Sequence, residues 1–170
     1  MNWPALIVAL VALERLAELV HANRNTRALL REGAHEIGRG QYRLIVLLHL
    51  CWLVAVYAAA DKNAPPDWFW IAVFLLLQVA RYWVIATLGR YWTTRIIAVP
   101  GAPLVTRGPY RFLRHPNYAV VIAEIAVLPL AFRQYDVALI FSLLNGALIW
   151  WRVRIENAAL DKRTSSLREA

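Results

Sequence analysis

The sequence has little of what soluble or secreted folds lean on. Cysteine occurs once, as Cys51 inside an apolar run. An intramolecular disulfide is therefore excluded, and the thiol reads as a small buried apolar side chain, not a nucleophile. No His/Cys/Asp cluster has metal-ligand spacing, so no metal is expected. Internal repeats and low-complexity tracts are absent, and the N-terminus lacks the basic segment of a cleavable leader. The first apolar stretch is thus expected to be a retained span. Nucleic acid is excluded as a partner. The formal net charge is +8, but the arginines sit between apolar runs, with no aromatic-interleaved groove or basic helix face.

What is abundant is apolar surface. Hydrophobic residues make up 60% of the 170 residues, with a mean hydropathy of +0.45; a soluble domain would have about 45–50%. Eight tryptophans and seven tyrosines are present, several at the ends of apolar runs where a bilayer interface would hold them. The pattern predicts an all-α integral membrane protein with about five transmembrane helices, each needing about 20 apolar residues to cross. They are expected at Trp3–Val20, Tyr42–Ala60, Trp68–Leu88, Tyr118–Phe132 and Val137–Trp151. The last two are short, and Pro129 interrupts the fourth, so they suit a short hairpin.

Basic residues orient this bundle. Arg24, Arg27, Arg31, Arg39 and Arg43 follow the first span, and Arg90, Arg95, Arg107, Arg111 and Arg114 follow the third. Arg152, Arg154, Lys162, Arg163 and Arg168 follow the fifth, whereas the intervening loops carry only Lys62 and Arg133. The positive-inside rule then places the N-terminus outside and the C-terminus in the cytoplasm, in what is expected to be a bacterial cytoplasmic membrane. The chain divides into residues 1–88, with three spans and a cytoplasmic basic loop at 21–41, and residues 89–170, with two membrane segments and a cytoplasmic tail. The stretch from Gly89 to Asn117 carries Pro100, Pro103, Pro109, Gly101 and Gly108, which predict a fixed path through specific turns.

The chemistry concentrates in Leu104-Val-Thr-Arg-Gly-Pro-Tyr-Arg-Phe-Leu-Arg-His-Pro-Asn-Tyr118. This stretch resembles the isoprenylcysteine carboxyl methyltransferase family, its small bacterial members included, and the related phospholipid methyltransferases. Their Leu-Val-Thr-x-Gly-x-Tyr, then Arg-His-Pro-x-Tyr, is matched at Leu104, Val105, Thr106, Gly108, Tyr110, Arg114, His115, Pro116 and Tyr118. Beyond the last span Arg152, Glu156 and Leu160 also match, with Asn157 where the family has a second acidic residue. The resemblance implies S-adenosylmethionine as cofactor, bound at the cytoplasmic boundary. Leu104, Val105, Gly108, Tyr110, His115, Pro116, Asn117, Tyr118 and Glu156 are the expected cofactor contacts, and Arg114, His115 and Arg152 the catalytic set.

The residue types make sense on their own. Pro116 is tolerated in a first helical turn, which places a helix start near His115–Asn117 and turns free N–H groups toward a carboxylate. Arg152 and Glu156 are four apart and share a helix face. Glu156 suits a cofactor ammonium or ribose hydroxyls, and Arg114 and Arg152 suit an anionic substrate oxygen. Transfer from a sulfonium asks chiefly for alignment and exclusion of water. A carboxylate acceptor needs no base; a phenol does, and His115 is the candidate. Acidic and basic residues inside the spans (Glu14, Arg15, Glu18, Arg81, Glu124) read as paired and structural, and His21 and His49 as locally bonded.

The reading is therefore an O-methyltransferase in the membrane, acting on a long-chain phenolic or pyrone lipid or an isoprenylcysteine-type carboxylate that enters between helices. Two alternatives share features with it. Steroid-reductase-like NADPH-dependent membrane proteins carry a similar Arg-His-Pro-Asn-Tyr with a following acidic residue, but Glu124 lies further from His115 than that pattern has it. A non-catalytic membrane module with a degenerate cofactor site is suggested by Asn157.

Overall fold

The computed structural model describes residues 2–102 and 105–168, with side chains described to residue 158. Five helices carry the fold: α1 (Trp3–Arg31), α2 (Arg39–Ala59), α3 (Trp68–Leu88), α4 (Pro116–Ala131) and α5 (Tyr135–Arg168). Local chemistry sets their ends. The Asn2 side chain accepts from the Ala5 N–H at 3.1 Å and starts α1, and Asp67 does the same for Phe69 at 3.0 Å to start α3. Helix α1 ends in a Schellman turn in which Ala34 N–H reaches the Leu29 carbonyl and Gly33 takes φ +91°.

Three helices are long and apolar enough to cross a membrane, in the stretches Arg39–Ala59, Trp68–Tyr91 and Tyr135–Ala158. Helix α1 carries Glu14, Arg15 and Glu18 in its middle, and α4 has 16 residues. Large apolar side chains remain bare on the outside of the bundle, among them Leu13, Phe69, Leu76, Val79 and Leu143. Such a surface is stable only against lipid or another apolar partner. Helix α4 is the most enclosed of the five, because α3 and α5 pack along it and nine of its residues are buried, although Ile122 stays exposed.

Two helices overrun their expected spans. The basic segment after the first span does not begin a loop at residue 21; α1 continues through it to Arg31. Its Ala, Arg and Leu residues are good helix formers, and nothing breaks the chain before Gly33. Likewise α5 runs without interruption from the membrane segment through the basic tail to Arg168.

A second departure is a small sheet in what was expected to be an all-α chain. Strand β1 (His35–Ile37) pairs antiparallel with β2 (Ile96–Ala98), His35 opposite Ala98 and Ile37 opposite Ile96. The ribbon ties the α1–α2 connection to the segment after α3. Arg95 secures it by donating to Glu36 at 3.0 Å while its guanidinium lies 4.5 Å from the Tyr42 ring centre.

The core sits where α2, α3, α4 and α5 meet, around Trp52, Val56, Phe74, Ile125 and Leu128. Polar groups lock that core in register. Trp52 donates its indole N–H to the Ile125 carbonyl at 3.2 Å, and Gln134 donates to the Val56 carbonyl at 2.9 Å. In a medium without water these bonds have no competitor.

Candidate active site

The motif segment reaches the bundle through a 3₁₀ turn at Gly108–Arg111. Gly108 has φ +57°, and a Cβ there would lie 2.6 Å from Thr87 Oγ1. Backbone conformation and space therefore both require glycine, so that the turn can seat on α3. The turn sets Tyr110 against Ala22, Val84 and Trp92. Burial pushes the Tyr110 phenol above its usual range, and the Glu156 carboxylate adds to this. The hydroxyl thus stays protonated as a hydrogen-bond donor.

Next, His115 forms the N-cap of α4 and Pro116 occupies its first turn. The proline costs nothing there, and it fixes the helix start so that Asn117 and Tyr118 fall on the first turn. From the other side α5 supplies Arg152 and Glu156, one helical turn apart.

These residues close a compact polar circuit. The Tyr118 hydroxyl donates to Glu156 Oε2 and accepts from Arg152 Nε at 2.7 Å. Arg152 Nη2 donates to the Thr94 carbonyl at 2.8 Å, which ties α5 to the segment beyond α3. His115 stacks on Tyr118 with ring centres 5.3 Å apart, and its Nε2–H donates to Asn157 Oδ1 at 2.9 Å. Its Nδ1 stands 3.8 Å from Glu156 Oε2. Arginine, tyrosine, glutamate, histidine and asparagine from two helices thus form one connected unit.

The unit lies on a cavity of about 800 Å³, within the range of small-molecule sites. Arg114, His115 and Arg152 line it, as do Val105, Tyr110, Asn117, Tyr118 and Glu156. Two expected contacts do not reach the wall: Gly108 and Pro116 act through backbone geometry, as described above. Leu104 lies outside the described residues.

The structure adds wall residues that the motif did not indicate. Thr93 to Val99, β2 included, form one side, and Trp92 borders them. Five buried polar atoms of residues that line the cavity have no hydrogen-bond partner among the described residues: Trp92 Nε1, Thr94 Oγ1, Arg95 Nε, Asn117 Oδ1 and Asn145 Nδ2. Buried polar atoms left so are costly unless a ligand satisfies them. A polar Trp-Thr-Thr-Arg directly after an apolar helix was the available sequence signal for this wall.

Helices α1 and α2 give the cavity a largely apolar wall, with Leu16 and Leu19 of α1 and Val46, Leu50 and Leu53 of α2. Leu16, Val46 and Leu50 are also exposed on the outside of the bundle, so the cavity reaches the outer face between α1 and α2.

Arg15 and Arg81 line the same cavity. Arg81 donates to Glu18 through Nε and Nη2 at 2.6 and 2.7 Å, and to Glu124 through Nη1 at 3.0 Å. Arg15 donates to Glu18 at 3.1 Å and to the Gln78 side chain at 2.7 Å, and Gln78 in turn donates to Glu124 at 2.9 Å. The pairing expected among the charges inside the spans is therefore present: Glu18 and Glu124 pair with Arg81, and Glu14 pairs with Arg15. His21 and His49 make the local contacts expected of them, with Asn25 and with the Ile45 carbonyl.

Known proteins share this sequence pattern. The family model described as "Isoprenylcysteine carboxyl methyltransferase (ICMT) family" matches residues 70–162. The chain is 38% identical over 166 residues to "Uncharacterized protein YpbQ" of Bacillus subtilis (strain 168), covering 95% of this chain and 98% of that protein. An "Uncharacterized protein" of Haemophilus influenzae is 23% identical over 143 residues, covering 81% of this chain and 83% of its own length. No solved structure matches.

Proposed function

This chain belongs to the isoprenylcysteine carboxyl methyltransferase family, and we propose that it O-methylates a lipophilic acceptor with S-adenosylmethionine at a membrane boundary. Family membership itself implies a membrane methyltransferase. The observation that carries the finer reading is one cavity with two kinds of wall: the polar circuit around Tyr118, and the apolar side chains Leu16, Leu19, Val46, Leu50 and Leu53 of α1 and α2. An amphiphile and a polar cofactor each find matching chemistry there.

The cofactor supplies an activated methyl group on a sulfonium. The residues around it fit its polar parts. Asn117 Oδ1 and Thr94 Oγ1 are acceptors for its amine or hydroxyl groups, and Trp92 Nε1 and Arg95 Nε are donors for its acceptors. The N-terminus of α4 favours a carboxylate. Glu156 is held by Tyr118, close to where an ammonium or ribose would be bound. Arg152 is oriented by Tyr118 and the Thr94 carbonyl, so it presents its charge without reorganisation. The apolar walls exclude water from the acceptor.

In this reading all five helices lie in the membrane, with α1 and α4 crossing as protein-packed members beside the three long apolar ones. The motif segment, the ribbon and the C-terminal end of α5 face the cytoplasm, supported by the arginines gathered on these segments. The acceptor enters from the bilayer past Leu16 and Leu50.

Calorimetry on the detergent-purified protein tests the proposal. S-adenosylmethionine is expected to bind saturably, and Arg114→Ala or Glu156→Ala to weaken it more than tenfold, about 1.4 kcal/mol. Binding of NADPH without S-adenosylmethionine would replace methyl transfer by reduction, and binding of neither would leave a non-catalytic module.

A further inference from the structure

Asn145 lies in the middle of the apolar stretch of α5, is only 1% exposed, and borders the cavity. Its Nδ2 has no hydrogen-bond partner among the described residues. Other polar side chains in the bundle bond the carbonyl one turn back along their own helix. Thr26 bonds Ala22 at 2.8 Å, His49 bonds Ile45 at 2.8 Å, Thr87 bonds Trp83 at 2.7 Å and Gln78 bonds Phe74 at 3.4 Å. Such bonds settle a polar group where no water reaches it. The Asn145 amide N–H groups have no such outlet. An unpaired amide at mid-span only costs the folded chain stability, so its use lies with what the cavity holds.

Its place on the helix separates it from the expected cofactor contacts. Asn145, Ile149, Arg152 and Glu156 all line the cavity, and their spacing of four, three and four residues puts them on one face of α5. At the rise of an α-helix, Asn145 stands about 10 Å from Arg152 and about 16 Å from Glu156 along the axis. The polar circuit joins Arg152, Tyr118 and Glu156. Beyond it, toward Asn145, the wall is apolar: Ile149 on α5, and Val121 one turn into α4 from Tyr118. Asn145 is thus a neutral polar group set past an apolar layer.

We infer that Asn145 is a substrate-binding residue whose side-chain N–H donates to an oxygen of the acceptor head and fixes how deep the acceptor sits. This rests on the methyltransferase reading above. No proton is transferred at Asn145; the amide holds one oxygen while the alkyl chain lies against Leu50 and Leu53. The same bond keeps the cavity from being taken by the surrounding lipid tails. A hydrocarbon chain entering between α1 and α2 would leave the amide unpaired, whereas an oxygenated head satisfies it. Asn145 therefore selects an oxygen-bearing lipid against a bilayer full of apolar competitors.

The experiment compares the full-length protein with Asn145→Leu and Asn145→Ala in detergent. Asn145→Leu removes the amide and keeps apolar volume, so it should melt at or above the wild-type midpoint. A lowered midpoint in both variants would assign Asn145 to the fold and overturn the inference. S-adenosylmethionine should bind all three proteins within twofold by calorimetry; a tenfold loss in both variants would assign Asn145 to the cofactor, with the same consequence.

The direct readout is magnetic resonance of protein carrying nitrogen-labelled asparagine, in which the Asn145 amide signal is the one missing from both variants. Without cofactor, a long-chain resorcinol or a farnesylated cysteine should move that signal, and an alkane of equal chain length should not. No shift with either oxygenated probe, or an equal shift with the alkane, would refute the hydrogen bond. The probe that moves the signal should bind Asn145→Leu about tenfold more weakly, by the same factor in acid and alkaline buffer, because an amide does not titrate. An unchanged affinity would also refute it. Should the wild type bind no S-adenosylmethionine, the methyltransferase reading fails, while the amide signal still decides whether Asn145 meets an oxygenated lipid.

Discussion

Arg81 holds Glu18 with a two-pronged fork, Nε to Oε1 at 2.6 Å and Nη2 to Oε2 at 2.7 Å, and uses its remaining nitrogen on Glu124. One guanidinium thus joins α1, α3 and α4, with each partner nearly sealed from the surroundings. Its planar geometry is what makes three helices meet at one residue, and lysine has no equivalent.

Removing one member leaves the network's charges out of balance in an apolar medium, at a cost of up to roughly 3–5 kcal/mol, lessened by the pairing of Arg15 with Glu18 and Glu124. Arg81→Met and Glu18→Gln are each expected to lower the thermal midpoint in detergent sharply. The double variant Arg81→Met with Glu18→Gln should recover part of the loss, and strict additivity would show that the pair is uncoupled.

Gly108→Ala places a methyl group onto Thr87 at a backbone conformation that opposes any side chain. The backbone term alone is about 1–2 kcal/mol. A second change, Thr87→Ala, is expected to relieve the collision and leave the strain. Protein melting and S-adenosylmethionine binding should both respond, and both should recover only in part.

Tyr118→Phe deletes the hydroxyl between Glu156 and Arg152, so two partly buried charged groups each lose a partner. Such losses cost about 1–3 kcal/mol. A tenfold or greater weakening of S-adenosylmethionine binding is expected by calorimetry, together with a lowered thermal midpoint. An unaltered affinity would remove Tyr118 from the binding unit.

Arg133 takes φ 59° in the turn between α4 and α5, in the place that Gly33 fills after α1. A side chain there is strained. Arg133→Gly is expected to stabilise the protein by about 1 kcal/mol, read as a raised thermal midpoint without effect on cofactor binding.

The third span was legible to the residue because its ends are chemically marked: Asp67 caps α3 and Gly89 terminates it. Helices α1 and α5 overran their expected spans because hydropathy reports where lipid contact ends, and helix formation obeys a different rule. The basic segments after Val20 and Trp151 change solvent without changing backbone preference. The ribbon was invisible because strands of three residues have no period to detect, and because their partners are remote in sequence.

The site was legible where residues were local. His115, Asn117 and Tyr118 are neighbours in the chain, and Arg152 and Glu156 share a helix face. Thr94 and Arg95 offered only the weaker signal of polar residues following an apolar helix, and His49 offered none. Each reaches the cavity only because the ribbon and the packing of α2 on α5 bring distant segments to it. His49 sits in an apolar run, where a histidine bonding its own helix is the ordinary outcome.

Helix α4 is enclosed by its neighbours, short, centred on Glu124 and interrupted by Pro129. Its effective solvent is protein. A lone helix of this kind would partition poorly into hydrocarbon, since an acidic group at mid-depth costs about 2.5–3.5 kcal/mol on insertion scales. During synthesis, then, α4 is expected to leave the translocon only in company, with α3 already waiting and α5 following. The residue that completes the intramembrane network is the one that makes the order of membrane entry matter.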